Sequence, residues 1–339
     1  MAYDGEKIIR TLCVFEEKAS LKSIDGLGDK KRKLESEGYS VQTLRLCPEK
    51  LSLRDAAALD AAPSLFVGAG PIERRSAERD LDHFLNAENV SFHIEPETMV
   101  SMADVELLFR IIGEKPEKTF NFAFAFNNVH SSPFFPSARY KKCGFSVGLQ
   151  PTNLATGCLS LNEWFKKLEQ TWIEIAVLFK DDNFIGIDSS IAPLYSGSGS
   201  LINFIKTICG SFSGAVTSDV FLQISAFIKQ YNPVPAGLCG IMFPCLEDFE
   251  LAEEYESGNF PVERNIFLSL HSGLGIDTYP LAKDESPERV LEVLRLLQGL
   301  SDKYRKPLAA RFVCDGISSA GDKTVFNNQY LKDVILREL

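Results

Sequence analysis

The sequence predicts an α/β protein in which about ten strands alternate with helices. Short apolar runs of strand length recur along the chain, and amphipathic segments separate nearly all of them. No linker or change in composition divides the 339 residues. Because parallel strands need helical crossovers, this alternation favours a parallel sheet. We expect one domain over residues 1–339, as either a closed α/β barrel or an open doubly wound sheet.

Strands are predicted where apolar, β-branched and aromatic residues cluster between turn residues. In chain order these segments are 8–15, 40–46, 65–70, 91–95, 120–126, 144–150, 184–188, 237–243, 274–277 and 308–314.

Helices are predicted where apolar residues recur at a spacing of three or four. In chain order these segments are 56–62, 72–87, 102–112, 161–180, 201–208, 219–230, 249–256 and 287–304. Segment 265–272 is apolar enough to be a buried helix or a buried strand, and its periodicity does not distinguish the two.

Charge and composition exclude several classes of function. The 46 acidic and 36 basic residues give a net charge of -10, which opposes binding to nucleic acid or to an anionic membrane surface. The eight cysteines form no CxxC pair and sit mostly in apolar runs, as expected for reduced, buried thiols. Neither a secretory signal nor an apolar membrane span is recognisable. We therefore expect a cytoplasmic protein.

Two strands end in the same motif. Phe184-Ile-Gly-Ile-Asp188 is followed by Ser189-Ser190 and then a proline, and Leu274-Gly-Ile-Asp277 is followed by Thr278-Tyr-Pro280. Because an unpaired buried carboxylate is costly, each aspartate accepts hydrogen bonds from its turn, faces solvent at the rim of the sheet, or serves a site. The repetition favours the functional interpretation, with both residues as catalytic candidates.

Further carboxylates follow other predicted strands. Glu247 and Asp248 come after segment 237–243, and Asp315 and Asp322 come after segment 308–314. Ligand groups collect at the carboxyl ends of parallel strands, so these side chains predict an acidic cleft. Such a cleft would supply an acid and a base, with Glu247 as a further catalytic candidate, or hold a divalent cation. Alternatively, Glu247 and Asp248 only begin a helix.

Residues 127–142 form the one long irregular segment. It places Phe134 and Phe135 between prolines in Ser132-Pro-Phe-Phe-Pro136, so it forms either a rigid pocket wall or a plug at the sheet end. His130 is a candidate base, although no Ser-His-Asp spacing supports a hydrolase triad.

Two turns contain small residues. Ser196-Gly-Ser-Gly-Ser200 lacks the lysine of a P-loop and is interpreted as a turn that caps the next helix. In His271-Ser-Gly-Leu-Gly275, the residues Ser272, Gly273 and Gly275 would let the backbone approach a ligand. Cys245 is interpreted as an inert buried thiol.

Several blocks in register resemble domain-of-unknown-function family 711. They are Ser132-Pro-Phe-Phe-Pro136, Gly186-Ile-Asp188 with Ala192-Pro193, Gly240 to Asp248, Ser272 to Pro280, and Lys306 to Arg311 followed by Ala320-Gly-Asp322. The resemblance runs from the first strand to about residue 330.

The resemblance implies a fold similar to the pyruvate formate-lyase-like ten-stranded α/β barrel, but no known reaction. Family members usually carry a cysteine in the turn where this chain has His271-Ser272, so shared thiol chemistry is not expected. The segment Asp315 to Asp322 lacks the glycine-radical motif, which argues against a radical mechanism.

We therefore expect an acidic site for a small polar metabolite at the strand ends. Asp188, Asp277 and Glu247 are the catalytic candidates. The binding candidates are Ser132, Phe134, Phe135, Pro136, Ser190, Asp248, Ser272, Gly273, Gly275 and Asp322. The reaction would be that of a non-radical lyase, isomerase or hydrolase; the alternative is a non-catalytic barrel that binds a metabolite or a partner protein.

Overall fold

The computed structural model describes residues 6–19, 21–60, 65–129, 131–180 and 182–339. These residues form a mixed α/β fold around a ten-stranded sheet, which confirms the predicted class. The strands are β1 (Lys7–Glu16), β2 (Tyr39–Val41), β3 (Leu44–Pro48), β4 (Leu65–Pro71), β5 (Val90–Ile94), β6 (Phe122–Phe126), β7 (Gly144–Leu149), β8 (Phe184–Asp188), β9 (Gly275–Pro280) and β10 (Leu308–Val313).

Two antiparallel pairs divide the sheet into three groups of parallel strands. Its order is β8-β7-β1-β3-β4-β5-β6-β10-β9, with β2 paired to β1. The pairs β1/β7 and β6/β10 are antiparallel, and all other paired strands are parallel. The single predicted strand 40–46 is therefore two short strands, which pair with successive parts of β1.

Segment 234–248 connects the two edge strands without being a strand itself. Single parallel bridges join Ile187 to Pro235 and Ile191 to Ile241 on one side, and Ile241 to Gly273 and Pro244 to Asp277 on the other. The prediction of a regular strand at 237–243 is wrong. Gly237 and Cys239 have φ values of 70° and 46°, and this left-handed backbone interrupts an extended conformation. The regular sheet is consequently not closed.

Helices pack against the sheet and follow most of its strands. They are α1 (Leu21–Ser36), α2 (Leu53–Leu59), α3 (Arg74–Arg79), α4 (Leu81–Asn86), α5 (Met102–Glu114), α6 (Leu161–Leu178), α7 (Leu201–Cys209), α8 (Phe212–Val216), α9 (Val220–Gln230), α10 (Phe249–Glu256), α11 (Val262–His271) and α12 (Pro287–Tyr304). None of these helices is both long and apolar enough to cross a membrane, as far as the described residues extend.

Local sequence explains where the longest helices begin and end. The Oγ atoms of Ser160 and Ser286 accept hydrogen bonds from the third residues of α6 and α12, which satisfies backbone donors that have no intrahelical partner. Pro287 occupies the first position of α12, where its missing N–H is not needed. The helix ends at Arg305, which has a left-handed conformation.

Three helix predictions need correction or completion. The predicted helix 72–87 is divided into α3 and α4 at Asp80, although Phe84 and Leu85 are buried as expected. The undecided segment 265–272 lies within helix α11, apart from Ser272. Helix α2 covers the predicted segment up to Leu59, and residues 61 and 62 lie outside the described ranges.

The loop 131–138 packs across one face of the sheet, where glycines leave room for it. A Cβ atom at Gly148 would lie 2.6 Å from Cζ of Phe134, and one at Gly68 would lie 2.7 Å from Cζ of Phe135. Pro136 O contacts Nδ1 of the buried His93 on β5 at 2.9 Å. The two aromatic side chains therefore sit where strands β7 and β4 have no side chains.

Candidate functional site

A cavity lies beside this loop on the same face of the sheet. The space open to the centres of water molecules is about 130 Å³. Its walls combine the rings of Phe134 and Phe135 with small strand residues and five charged side chains, which are Arg10, Arg45, Glu247, Asp277 and Arg311. These charged residues come from β1, β3, β9, β10 and the connecting segment 234–248.

Glu247 is the centre of an ion-pair network in the cavity wall. Its Oε2 accepts a hydrogen bond from Nη2 of Arg10 at 2.9 Å, and its Oε1 accepts one from Nη2 of Arg311 at 2.6 Å. The side chain is only 5% exposed. Both carboxylate oxygens are thus occupied, and Glu247 holds two arginines that lie on different strands.

Asp277 has a different environment at the end of the same network. Its Oδ1 accepts a hydrogen bond from Nε of Arg311 at 2.7 Å, whereas Oδ2 has no hydrogen-bond partner among the residues that the structure describes. Its side chain is 23% exposed. Burial opposes the charge of Arg311, but Asp277 and Glu247 raise its pKa above the usual value, so this arginine remains a cation.

Arg45 lies in the cavity wall without a carboxylate partner in the described ranges. Its Nε donates to Oγ1 of Thr43 at 3.1 Å, and its Nη1 donates to the carbonyl of Pro133 at 3.4 Å. The guanidinium carbon is 4.8 Å from the ring centre of Phe135, within the range of a cation–π contact. Burial and the nearby charge of Arg10 lower the pKa of Arg45 to about 9, so it is still protonated at neutral pH.

The predicted carboxylate-rich cleft therefore does not line this cavity. Among the described residues, the wall contains three arginines and two carboxylates, which leaves one net positive charge. The described residues include no group of three or more histidine, cysteine, aspartate or glutamate side chains that could hold a metal ion. The carboxylates of Glu247 and Asp277 are instead neutralised by arginine.

Asp188 lies outside the cavity wall and is completely buried. Its carboxylate accepts hydrogen bonds from Oγ of Ser132, from both N and Oγ of Ser190, and from the backbone N–H groups of Leu238 and Cys239. These five bonds join the loop 131–138 to the connecting segment 234–248. The structure thus places Asp188, Ser132 and Ser190 in one buried turn network.

Asp248 is also fully buried, and it connects the beginnings of two helices. It accepts hydrogen bonds from Oγ of Ser200 at 2.5 Å and from the first two backbone N–H groups of α7. It also caps α10 through the N–H of Leu251. Ser200 in turn caps α7, as expected for the Ser196 to Ser200 turn. Burial is the largest influence on Asp248 and raises its pKa to about 7.

Asp248 is expected to make stability depend on pH between about 4 and 7. In this interval the unfolded carboxyl is ionised, whereas the folded one still binds its proton, so the folded state loses stability as the pH rises. The unfolding free energy of wild type relative to Asp248→Asn should fall by roughly 1.4 kcal/mol for each pH unit in this range. Urea unfolding at a series of pH values measures this difference.

The control variant is Asp219→Asn, which also removes a carboxylate from the beginning of a helix, α9. Because Asp219 is exposed, this variant lacks the effect of burial that is expected for Asp248. A difference between wild type and Asp248→Asn that does not change with pH would contradict the prediction.

The glycine-rich turn before β9 contributes backbone rather than side chains. Gly275 lines the cavity, and its φ of 111° together with the nearby carbonyl of Ala309 leaves no space for a Cβ atom. Ser272 is buried and receives a 2.7 Å contact from Nδ1 of His271. Burial and the charge of Lys306 lower the pKa of His271. Ser272, Gly273 and His271 do not line the cavity.

The remaining candidates lie away from the cavity. Asp315 accepts hydrogen bonds from Ser318 and Val325 in a turn, and the exposed Asp322 accepts one from the backbone N–H of Ser319. Burial raises the pKa of the Cys245 thiol, which agrees with an inert buried cysteine. His130 lies outside the described residues.

Sequence reasoning missed the three arginines. Arg10, Arg45 and Arg311 each interrupt an apolar strand, as in Ile8-Ile-Arg10-Thr, Leu44-Arg-Leu46 and Ala310-Arg-Phe312. Because arginine is rarely buried unless it is paired, a cation in the middle of a buried strand indicates either an ion pair or a ligand.

The fold and cavity define a mixed α/β protein with an aromatic pocket in which arginines and carboxylates are paired. The chain belongs to the family described as Uncharacterised ACR (DUF711), whose model matches residues 94–327. Comparison with curated proteins gives no match.

Proposed function

We propose that the chain is a pyruvate formate-lyase-like ten-stranded α/β barrel that converts a small polar metabolite in this cavity. Strands β1, β3, β4, β5 and β6 form one parallel group of five. A second group of five is obtained when segment 234–248, which makes only parallel bridges, takes the place of the tenth strand between β8 and β9. Its bridges to β8 and β9 join the two edges of the sheet. The cavity then lies inside the ring, as ligand sites of small barrels commonly do.

The proposal of catalysis rests on a difference in hydrogen bonding between the carboxylates of Glu247 and Asp277. Two carboxylates that share one pocket but differ in environment typically have different roles. Glu247 uses both oxygens to position Arg10 and Arg311, whereas Asp277 keeps Oδ2 free beside the cavity. Asp277 is therefore the group that can exchange a proton with a bound molecule.

The reaction proposed is a proton transfer by Asp277 without a radical step. Non-radical lyases, isomerases and hydrolases all require a positioned acid or base. Arg311 fixes the orientation of Asp277 through the 2.7 Å hydrogen bond, and its second N–H group is bound to Glu247. The rings of Phe134 and Phe135 exclude water from one wall of the pocket.

A non-catalytic metabolite- or protein-binding barrel is the second candidate, and the environment of Asp188 favours it. Of the two aspartates in the repeated strand-end motif, Asp188 has both oxygens occupied by buried donors. A single free aspartate is sufficient to bind a polar ligand, whereas acid/base chemistry often uses two groups.

Asp277→Asn is expected to lower turnover about 100-fold or more, because general acid/base catalysis contributes roughly 10²–10⁴ in rate. Purified protein in D₂O is incubated with a panel of small carboxylic acids, hydroxy acids, amides and sugars. Proton NMR then follows loss of the compound or exchange of carbon-bound hydrogen for deuterium.

The control variant is Asp284→Asn, which neutralises an exposed carboxylate in the connection after β9. Equal turnover by wild type and Asp277→Asn would overturn the role of Asp277. Ligand-induced stabilisation without turnover of any compound would favour the binding protein.

A further inference from the structure

We infer that the ligand of the cavity is a compact organic monoanion whose charged group binds to Arg45. This inference rests on the proposed function only for the position of the ligand, and it specifies the chemical class of that ligand. It follows from three properties of the pocket: its net charge, its unused hydrogen-bond donors and its size.

The charge of the wall is complementary to one negative charge. Glu247 pairs with Arg10 and Arg311, and Asp277 pairs with Arg311, so these four groups neutralise one another. Arg45 is the remaining cation of the cavity wall, and no carboxylate in the described ranges forms an ion pair with it. Arg45 is half-buried, so its charge is only partly solvated, and a bound anion would offset this loss of solvation.

Hydrogen-bond geometry shows which part of Arg45 is open to a ligand. Nε donates to Thr43 and Nη1 donates to Pro133 O, which fixes the guanidinium plane against the ring of Phe135. The Nη2 group has no hydrogen-bond partner in the part of the chain that the structure describes. A carboxylate oxygen can accept hydrogen bonds from the N–H groups of Nη2, while the two protein acceptors hold the guanidinium plane in place.

The size and walls of the cavity limit the rest of the ligand. A cavity of about 150 Å³ takes a molecule of about six non-hydrogen atoms, and this one is slightly smaller at about 130 Å³. Phe66, Phe120 and Phe134 line it, so the ligand body can be apolar.

Isobutyrate and its neutral isostere isobutyramide test the inference directly. Both have about six non-hydrogen atoms, and only isobutyrate is charged. Calorimetric titration should show that wild type binds isobutyrate at least about tenfold more tightly than isobutyramide or inorganic phosphate. Arg45→Gln should weaken isobutyrate binding by at least about tenfold and leave isobutyramide binding unchanged.

Arg54→Gln removes an exposed arginine in α2 and should bind isobutyrate as wild type does. If Arg45→Gln does not fold, Arg45→Lys keeps the charge but loses the planar pair of donors, and it should show intermediate binding. Equal binding of isobutyrate and isobutyramide by wild type would overturn the inference, as would tight binding to Arg45→Gln or a preference for phosphate.

Failure of the monoanion inference can be distinguished from failure of the proposed catalysis by Asp277. Asp277→Asn removes a negative charge beside the cavity, so it should bind isobutyrate at least as tightly as wild type even if all turnover is lost. Turnover of neutral compounds that depends on Asp277, with no binding of isobutyrate, would reject the monoanion and retain the catalytic aspartate. Binding of isobutyrate that depends on Arg45, with no turnover of any compound, would retain the monoanion and reject the catalytic aspartate.

Discussion

Glu247→Gln is expected to lower the free energy of unfolding by about 3–5 kcal/mol, because it removes the counter-ion of two buried cations. Glu247 accepts one hydrogen bond each from Arg10 and Arg311 at 2.9 and 2.6 Å. After the change, three arginines face the single carboxylate of Asp277 in a cavity wall that contains few other charges. Urea unfolding at pH 7 measures the difference from wild type.

Glu292→Gln is the matched control, because Glu292 also pairs with an arginine but its side chain is 69% exposed. Exposed ion pairs contribute at most about 1 kcal/mol, so this variant should remain close to wild type. A loss of less than about 1 kcal/mol in Glu247→Gln would mean that solvent in the cavity screens the arginines, and the network would have no stabilising role.

Asp188→Ala is expected to have an effect of similar size through a different mechanism. The change leaves five hydrogen bonds without their acceptor in a fully buried site. Each buried donor that is left unsatisfied costs about 1–3 kcal/mol, and partial rearrangement reduces the sum to roughly 3–5 kcal/mol. Thermal and urea unfolding of the purified variant measure the loss.

Asp322→Ala provides the comparison, since this exposed aspartate accepts a single backbone hydrogen bond at 3.0 Å. Its effect should stay below about 1 kcal/mol. If Asp188→Ala is insoluble, Ser190→Ala removes one donor to the same carboxylate and should cost about 1 kcal/mol. Stability within about 0.5 kcal/mol of wild type for Asp188→Ala would show that water replaces the carboxylate.

Local patterns were sufficient for most of the secondary structure. Periodicity, serine caps and prolines are read over a few residues, and they placed β8, β9, α6 and α12 close to their observed ends. Segment 234–248 was the exception. Its composition resembles a strand, but Gly237 and Cys239 have left-handed conformations, and both residues lie against the carboxylate of Asp188.

The candidate site was predicted less well than the secondary structure, because the side chains that form it are distant from one another in the sequence. The motif at Asp277 drew attention to a residue that lines the cavity, although β9 continues three residues beyond it to Pro280. Phe134 and Phe135 were interpreted as wall residues or a plug. Asp188 belongs to the same motif, but its carboxylate is buried and accepts hydrogen bonds from Ser132 and Leu238. The repeated motif alone therefore did not show that the two aspartates have different environments.

The sequence by itself determined the α/β class and the order of most elements. Only the tertiary structure decided which charges meet: Arg10, Glu247 and Arg311 come from opposite ends of the chain and are joined by the order of strands in the sheet. The energy of a buried charge depends on its neighbours in space rather than on its neighbours in sequence. Arg45 therefore emerged as the unpaired cation of the cavity wall only when the sheet brought the other four charged groups together.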